Sequence, residues 1–286
     1  MLFPIRTAKI VKVIEENYKT KTFELEAEFE TEKPKKKTSS RARNTGSEIP
    51  NASPGQFIMV WLPGIGERPM GIESPKPLTI SVANAGKVTA EMHKLKEGDM
   101  VSFKGPLGKG FDISKLKKGG KILIVAGGTG VVPLYFLATY ANENGLEPYV
   151  ILGARSAKEH TFKKRMTATS KEVFITTDDG TEGRKGNVVD EMRFLLDEKK
   201  MKFDAVYSCG PERMMRAVGE LCVQKKIPCQ LSLERYMKCG IGVCGSCDLD
   251  GLCICKEGPV FEATRVLCLQ SFGKKKRDAT GKEIDL

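Results

Sequence analysis

Hydrophobic and polar positions alternate along the start of the chain. In Ala8-Lys9-Ile10-Val11-Lys12-Val13-Ile14 and Lys21-Thr22-Phe23-Glu24-Leu25-Glu26 the period is close to two. That period puts apolar side chains on one face of a β-strand. Pro54-Gly55 then turns the chain into Gln56-Phe57-Ile58-Met59-Val60-Trp61-Leu62, a nearly continuous apolar run of buried-strand length. Short strands follow at 78–82 and 100–104, separated by Gly, Pro and Asn. This spacing predicts an antiparallel barrel or sandwich over residues 1–113. Residues 31–53 break the pattern: they are polar, basic and rich in Ser, Thr and Pro, and read as a flexible insertion.

After Lys121 the pattern changes. Ile122-Leu123-Ile124-Val125-Ala126 is apolar throughout, as in a strand buried on both faces. Helical stretches at 132–141, 188–198 and 212–224 then alternate with strands at 149–152, 173–176 and 205–209. Such alternation predicts a parallel sheet with helices on both faces over 114–231. From Ser232 to Leu286 the chain is rich in Gly and Cys with little periodicity, so a metal centre is expected to replace the hydrophobic core there.

Composition narrows the classes. The chain has 286 residues, 40% hydrophobic, with a mean hydropathy of −0.27. No apolar run approaches the ~18 residues of a membrane helix, and the first residues lack a signal-peptide pattern, so a cytoplasmic location is expected. The net charge of +11 invites a nucleic-acid reading. However, Lys33, Lys35, Lys36, Lys37, Arg41 and Arg43 form one run, and Lys274, Lys275, Lys276 and Arg277 another, with no aromatic platform between them. They read as a solvated loop and a solvated tail, and nucleic-acid binding is not expected. Seven of the nine cysteines fall between Cys222 and Cys255, which favours a local metal site over disulfides.

Within that site Cys239, Cys244 and Cys247 have C-x4-C-x2-C spacing, the plant-type [2Fe–2S] pattern, which requires a fourth cysteine further on. Cys253 and Cys255 are both available. A four-cysteine Zn²⁺ site is the alternative, but zinc ribbons pair two C-x2-C knuckles and one is present here. A second candidate site is Gly127-Gly128-Thr129-Gly130, a tight turn between a buried strand and a helix, where backbone N–H groups can face an anion. It is not a Walker loop, and Pro133 stands where a third fingerprint glycine would be. An ordinary strand-to-helix turn is the lesser alternative, since glycine is common at such turns for steric reasons. Cys209-Gly210-Pro211 and Thr176-Thr177-Asp178-Asp179-Gly180 end two further strands, on the sheet edge where α/β proteins bind ligands. His93 and His160 have no evident partners, which argues against a Ser–His–Asp or Cys–His hydrolase.

A barrel, a strand ending in Gly-Gly-x-Gly and then Cys-Gly-Pro resembles the ferredoxin–NADP reductase superfamily. The stretch from Ser232 to Gly242, the cysteine trio, and Cys255-Lys256-Glu257-Gly258-Pro259-Val260-Phe261 resemble the electron-transfer subunits of dihydroorotate dehydrogenase B. Phe272-Gly273-Lys274-Lys275-Lys276-Arg277-Asp278-Ala279 is similar to archaeal-type members. The resemblance implies FAD in the barrel, NAD(H) on the α/β domain and a [2Fe–2S] cluster on the C-terminal domain. It also implies a partner, the FMN-containing catalytic subunit of pyrimidine biosynthesis, in a heterotetramer of two copies of each. The family places its fourth ligand directly before x-x-Gly-Pro, which selects Cys255 over Cys253. Its Arg-Pro-x-Ser flavin motif matches Arg68-Pro69-Met70-Gly71 with glycine in place of serine, and Lys76-Pro77-Leu78-Thr79-Ile80-Ser81 is the weaker match. Gly86-Lys87-Val88-Thr89 resembles the turn that meets the flavin pyrophosphate. Subunits of cytosolic hydrogenase and sulfite reductase complexes carry a similar cysteine segment and form the nearest rival. A zinc-stabilised regulatory or nucleic-acid-binding protein is the rival of another class. Gly153-Ala154-Arg155-Ser156 carries no acidic ribose ligand, which leaves NADH and NADPH both open.

Overall fold

The computed structural model describes residues 4–31 and 51–286. Most of the basic insertion, including the run Lys33–Arg43, lies outside the described residues. Of that stretch, Asn51–Ala52 is described; it pairs in parallel with Glu30–Thr31 and buries Ala52, so this end is ordered strand rather than loop.

Strands β1 (Arg6–Asn17), β2 (Thr20–Leu25), β3 (Phe57–Leu62), β4 (Gly66–Pro75), β5 (Leu78–Ala83) and β6 (Met100–Leu107) close a barrel in the order β1-β2-β5-β4-β3-β6. Every neighbouring pair is antiparallel. The alternating strands send Ile10, Phe23, Leu25, Ile72 and Ile80 inside, where they are fully buried. The continuous apolar run of β3 has a different cause. Ile58 and Val60 fill the barrel, while Phe57 and Met59 pack on the cysteine-rich segment outside it. Helix α1 (Lys87–Met92) follows β5.

The second sheet contains β7 (Lys121–Gly127), β8 (Glu147–Ala154), β9 (Glu172–Thr177), β10 (Arg184–Lys185), β11 (Ala205–Cys209), β12 (Cys229–Ser232) and β13 (Val260–Glu262). Their order is β10-β9-β8-β7-β11-β12-β13, parallel throughout except at β13. Ile122, Ile124 and Ala126 of β7 face α2 (Val131–Glu143), α3 (Lys163–Thr169) and the barrel core. Leu123 and Val125 face α4 (Val188–Arg193), α5 (Glu212–Lys225) and the C-terminal segment. The helix expected over 188–198 leaves α geometry after Arg193 for a π turn, Phe194–Glu198, with the Phe194 ring 4.0 Å from the Arg184 guanidinium.

One expectation for the C-terminal segment is corrected. It does have a core: Leu249, Ile254, Val266 and Phe272 are buried together with residues of the parallel sheet, and β13 extends that sheet. Close packing is available because α5 presents Met215 and Val218 to it, and the chain leaving β12 presents Leu233. The basic run near the C-terminus is exposed, as expected of a solvated tail, and is held in a hairpin. Lys275–Arg277 pairs with Glu283–Asp285, and Lys275 meets Glu283 at 2.8 Å while Arg277 lies 3.5 Å from Asp248. Local acidic partners therefore hold charge that the sequence shows as a cationic block.

Candidate functional site

A cavity of about 440 Å³ opens where the barrel, the parallel sheet and the segment leading to the cysteines meet. That volume falls in the range of cofactor pockets, roughly 300–1,000 Å³. Strand β4 contributes Arg68, Pro69, Met70 and Gly71 to its wall, the turn after β5 contributes Gly86, and the start of α1 contributes Val88 and Thr89. Thr129, Pro133 and Cys209 come from the parallel-sheet side, and Glu234, Arg235, Tyr236 and Met237 from the segment before the cysteines. Lys76 is absent from this wall; its ammonium pairs with Glu30 at 2.6 Å on the exposed side of the barrel.

The Arg68 guanidinium is held in place from behind. It donates to the Tyr236 hydroxyl at 2.9 Å and to the Glu67 carbonyl at 2.7 Å, and it lies 4.7 Å from the Tyr236 ring centre. A planar fork fixed this way suits two-pronged contact with phosphate oxygens. At Gly86 no atom lies within 4 Å of where a Cβ would stand, so the backbone there is open to close approach by a bound group. The Thr89 hydroxyl is already engaged: it accepts from the N–H groups of Ala85 and Gly86 and donates to the Gly86 carbonyl, each at 2.9 Å. Thr89 therefore shapes the turn, and Lys87 lies off the cavity wall. These features fit FAD: an apolar slot, a fixed guanidinium and an unobstructed backbone turn. Gly71 is not forced by crowding, since a Cβ there would meet the Pro133 ring at an ordinary 3.6 Å.

Gly127, Gly128, Gly130, Gly210 and Pro211 do not line the large cavity. They form its neighbouring rim, and the two glycine turns pack directly on each other. A Cβ at Gly130 would stand 2.3 Å from the Cys209 carbonyl oxygen, so only glycine permits this approach. The turns bring the carboxyl ends of β7 and β11 together, and Thr129 and Cys209 project from them into the cavity. Arg155 lies exposed past the end of β8.

Sequence reasoning did not identify the Cys209–Glu234 pair, whose Sγ and Oε1 are 3.9 Å apart. Burial raises the Cys209 thiol well above its ordinary pKa, so it is a neutral donor. Glu234 is exposed by area, because its side chain faces the open cavity, yet protein crowds it on the other sides and raises its carboxyl pKa. The relevant signal, a carboxylate at the start of the cysteine segment, has no spacing rule of its own. His93 also proves to have a partner: its Nε2 lies 2.8 Å from the Val82 carbonyl oxygen. This is a packing role.

Ser81 lines the cavity and opens a polar chain into the barrel wall. Its Oγ is 2.5 Å from Glu73 Oε2 and 2.6 Å from Thr22 Oγ1, which in turn is 2.8 Å from Glu16 Oε1. Three oxygen–oxygen contacts require three hydrogens, and the two hydroxyls supply two. A carboxyl proton must supply the third, and Glu73, 3% exposed, is raised to about 7, chiefly by burial. Arg165 of α3 closes the chain, pairing with Glu73 and, at 2.9 Å, with Glu16. It thereby ties the parallel-sheet domain to the barrel. A carboxyl whose folded pKa is raised contributes stability below its unfolded pKa of about 4.5 and loses it as pH rises through about 7. Relative to Glu73→Gln, the wild-type chain is therefore expected to lose stability between about pH 4.5 and 7, by about 3 kcal/mol in all. Urea unfolding of both proteins across that range checks this; a constant difference would mean that Glu73 stays ionised.

The cysteines fall into two groups. Cys239 and Cys244 face each other, and the Val243 N–H points at Cys239 Sγ at 3.4 Å. Burial opposes the Cys239 thiolate, but N–H groups of Ile241, Cys244 and Val243 outweigh it and bring its pKa to about 6. Cys247, Cys253 and Cys255 form the second group, with all three sulfurs within 4.8 Å of one another. Hydrogen bonding from Cys255 brings Cys247 to about 6. Thiolates stabilised before metal arrives suit iron or zinc ligation. The loop seats itself on β3 through Gly240, where a Cβ would lie 2.6 Å from Met59 Cγ.

Residues 234–267 match the family model for the iron–sulfur cluster binding domain of dihydroorotate dehydrogenase B, and 124–220 match an oxidoreductase NAD-binding domain. A probable dihydroorotate dehydrogenase B (NAD(+)) electron transfer subunit of Methanocaldococcus jannaschii is 41% identical over 278 residues, covering 96% of both chains. Its counterpart in Methanothermobacter thermautotrophicus is 36% identical over 282 residues, again covering 96% of both. Among solved structures, an NADH-dependent reduced ferredoxin–NADP oxidoreductase studied for flavin-based electron bifurcation superposes with a TM-score of 0.73 at 27% identity, covering 90% of this chain and 88% of that one. The ferredoxin reductase of carbazole 1,9a-dioxygenase shares the fold, with a TM-score of 0.62 at 18% identity, over 80% and 68% of the two chains. The alignments with these relatives run across nearly the whole of both chains, and the chain belongs to the family of dihydroorotate dehydrogenase B electron-transfer subunits.

Proposed function

We propose that this chain passes electrons between NAD(H) and the FMN of a dihydroorotate dehydrogenase catalytic subunit, using FAD and a [2Fe–2S] cluster. The observation that carries the reading is the shared cavity. Its wall combines the Arg68 motif of the barrel, the glycine-turn residues Thr129 and Cys209, and Met237, which precedes Cys239 by two residues. Two residues span at most about 7 Å, so the cavity and the first cluster ligand are adjacent.

Bound FAD would supply the exchange between two-electron hydride chemistry and the one-electron chemistry of a cluster. In this reading Arg68, steadied by Tyr236, grips the pyrophosphate, and the turn at Gly86–Thr89 admits it against the backbone. Pro69, Met70 and Gly71 border the ring. Gly127, Gly128 and Gly130, with Gly210 and Pro211, hold the dinucleotide at the sheet edge, and the Cys209–Glu234 pair borders the nicotinamide. Cys239, Cys244, Cys247 and Cys255 would hold the cluster, which would supply one-electron transfer. The partner is the FMN-containing catalytic subunit, in a heterotetramer of two copies of each, and the location is the cytoplasm. Among the described residues no helix is long and apolar enough to cross a membrane.

Anaerobic purification of the native complex tests this. The expected result is an equimolar FMN-bearing dihydroorotate dehydrogenase subunit together with flavin and [2Fe–2S] absorbance. A hydrogenase or sulfite reductase partner would replace this assignment with its nearest rival. Bound zinc with neither chromophore would support the regulatory alternative.

A further inference from the structure

The second cysteine group holds one thiol more than its iron requires. Cys253 Sγ lies 3.9 Å from Cys247 Sγ and 3.9 Å from Cys255 Sγ. Two sulfurs bound to one tetrahedral metal at about 2.3 Å are about 3.8 Å apart. Cys253 is therefore spaced from Cys247 as a second ligand to the same ion would be, and so is no bystander thiol. Local structure holds it there. Asp248–Leu249 and Leu252–Cys253 pair across a turn at Asp250 (φ +49) and Gly251 (φ +87), which sets Cys253 opposite Asp248, the neighbour of Cys247. The positive φ values at both turn residues match the two-residue hairpin turn that fixes register. Fully buried Ile254 anchors the chain on one side, and the Cys253 N–H donates to Glu257 Oε1 at 3.1 Å. The Lys256 N–H also faces the Cys253 sulfur, as amides face the other ligands.

We propose that Cys253 is an exchange ligand for the iron held by Cys247, able to take the position of Cys255. This rests on the [2Fe–2S] reading above. In the exchange the iron–sulfur bond to Cys255 breaks and one to Cys253 forms. The Cys253 thiol proton passes to the departing Cys255 sulfur, and the iron keeps its oxidation state, so no oxidant or reductant is needed. The two sulfurs are near enough for the swap to leave the rest of the loop in place.

The test compares full-length wild type with Cys253→Ala, Cys255→Ala and Cys253→Ala/Cys255→Ala, purified with the catalytic subunit. Alanine offers no ligand atom. Iron and acid-labile sulfide per chain, and the EPR spectrum of the reduced cluster, are the readouts. Cys253→Ala should match wild type. Cys255→Ala should keep at least half the iron and sulfide with a shifted EPR spectrum, and the double variant should fall at least tenfold. Retained flavin shows that a variant is folded. Loss of the cluster from flavin-replete Cys255→Ala would overturn the proposal. So would loss from Cys253→Ala beside an unchanged Cys255→Ala, which would make Cys253 the resident ligand. Should Cys255→Ala fail to retain flavin, Cys255→Ser is the second variant. It should keep a cluster that disappears when Cys253→Ala is added, and persistence would assign the ligand to the serine oxygen and overturn exchange. Wild type lacking sulfide would instead overturn the [2Fe–2S] reading itself.

Discussion

Replacing Cys239, Cys244 or Cys247 by serine is expected to empty the cluster site and to lower electron delivery to the catalytic subunit by more than about a hundredfold. Loss of merely an outer-shell partner at a metal site costs roughly ten- to a hundredfold, and these residues are the ligands themselves. Cys239 and Cys247 are the thiols pulled down to about 6, so their loss removes the two sulfurs most ready to bind metal. NADH oxidation with a soluble artificial acceptor should stay within about twofold of wild type, since that exchange takes place upstream, at the flavin. Iron and sulfide analysis alongside both assays separates the two steps. A variant that retains full sulfide, or that loses both activities together while folded, would contradict the assignment.

Arg68→Ala should weaken FAD binding roughly ten- to a hundredfold, the equivalent of a charge-assisted hydrogen-bond contribution of about 1.5–3 kcal/mol. Lys76→Ala should leave it within about twofold. The difference follows from where each cation points. Arg68 lines the cavity, braced by Tyr236, whereas Lys76 meets Glu30 on the exposed barrel surface and is 42% exposed. Arg68→Lys keeps the charge but loses the fork, and should fall between the two. Equilibrium flavin binding to the deflavinated proteins measures all three, and equal affinities would remove Arg68 from the pyrophosphate site.

Much of this was legible along the chain because it depends on local patterns. Alternation with period two marked the barrel strands, and the wholly apolar Ile122–Ala126 marked a strand covered on both sides. The spacing of Cys239, Cys244 and Cys247 specified a cluster, since ligands within one loop must lie at fixed separations. Tertiary structure decided whatever depends on residues far apart meeting. Phe57 and Met59 are apolar because the cysteine loop packs against the outside of β3, and a strand read alone cannot show what lies behind it. Glu212 and Arg235 form a buried ion pair at 2.7 Å that joins α5 to the start of the cysteine segment, 23 positions later. Tyr236 behind Arg68, Glu234 beside Cys209, and Arg165 against Glu16 and Glu73 are likewise pairings across elements. The choice between Cys253 and Cys255 shows the division most clearly. The motif before Gly258-Pro259 names one cysteine, but a two-residue hairpin turn brings both sulfurs to Cys247. Sequence spacing limits how far apart two residues can be, and only the folded backbone determines which of them meet.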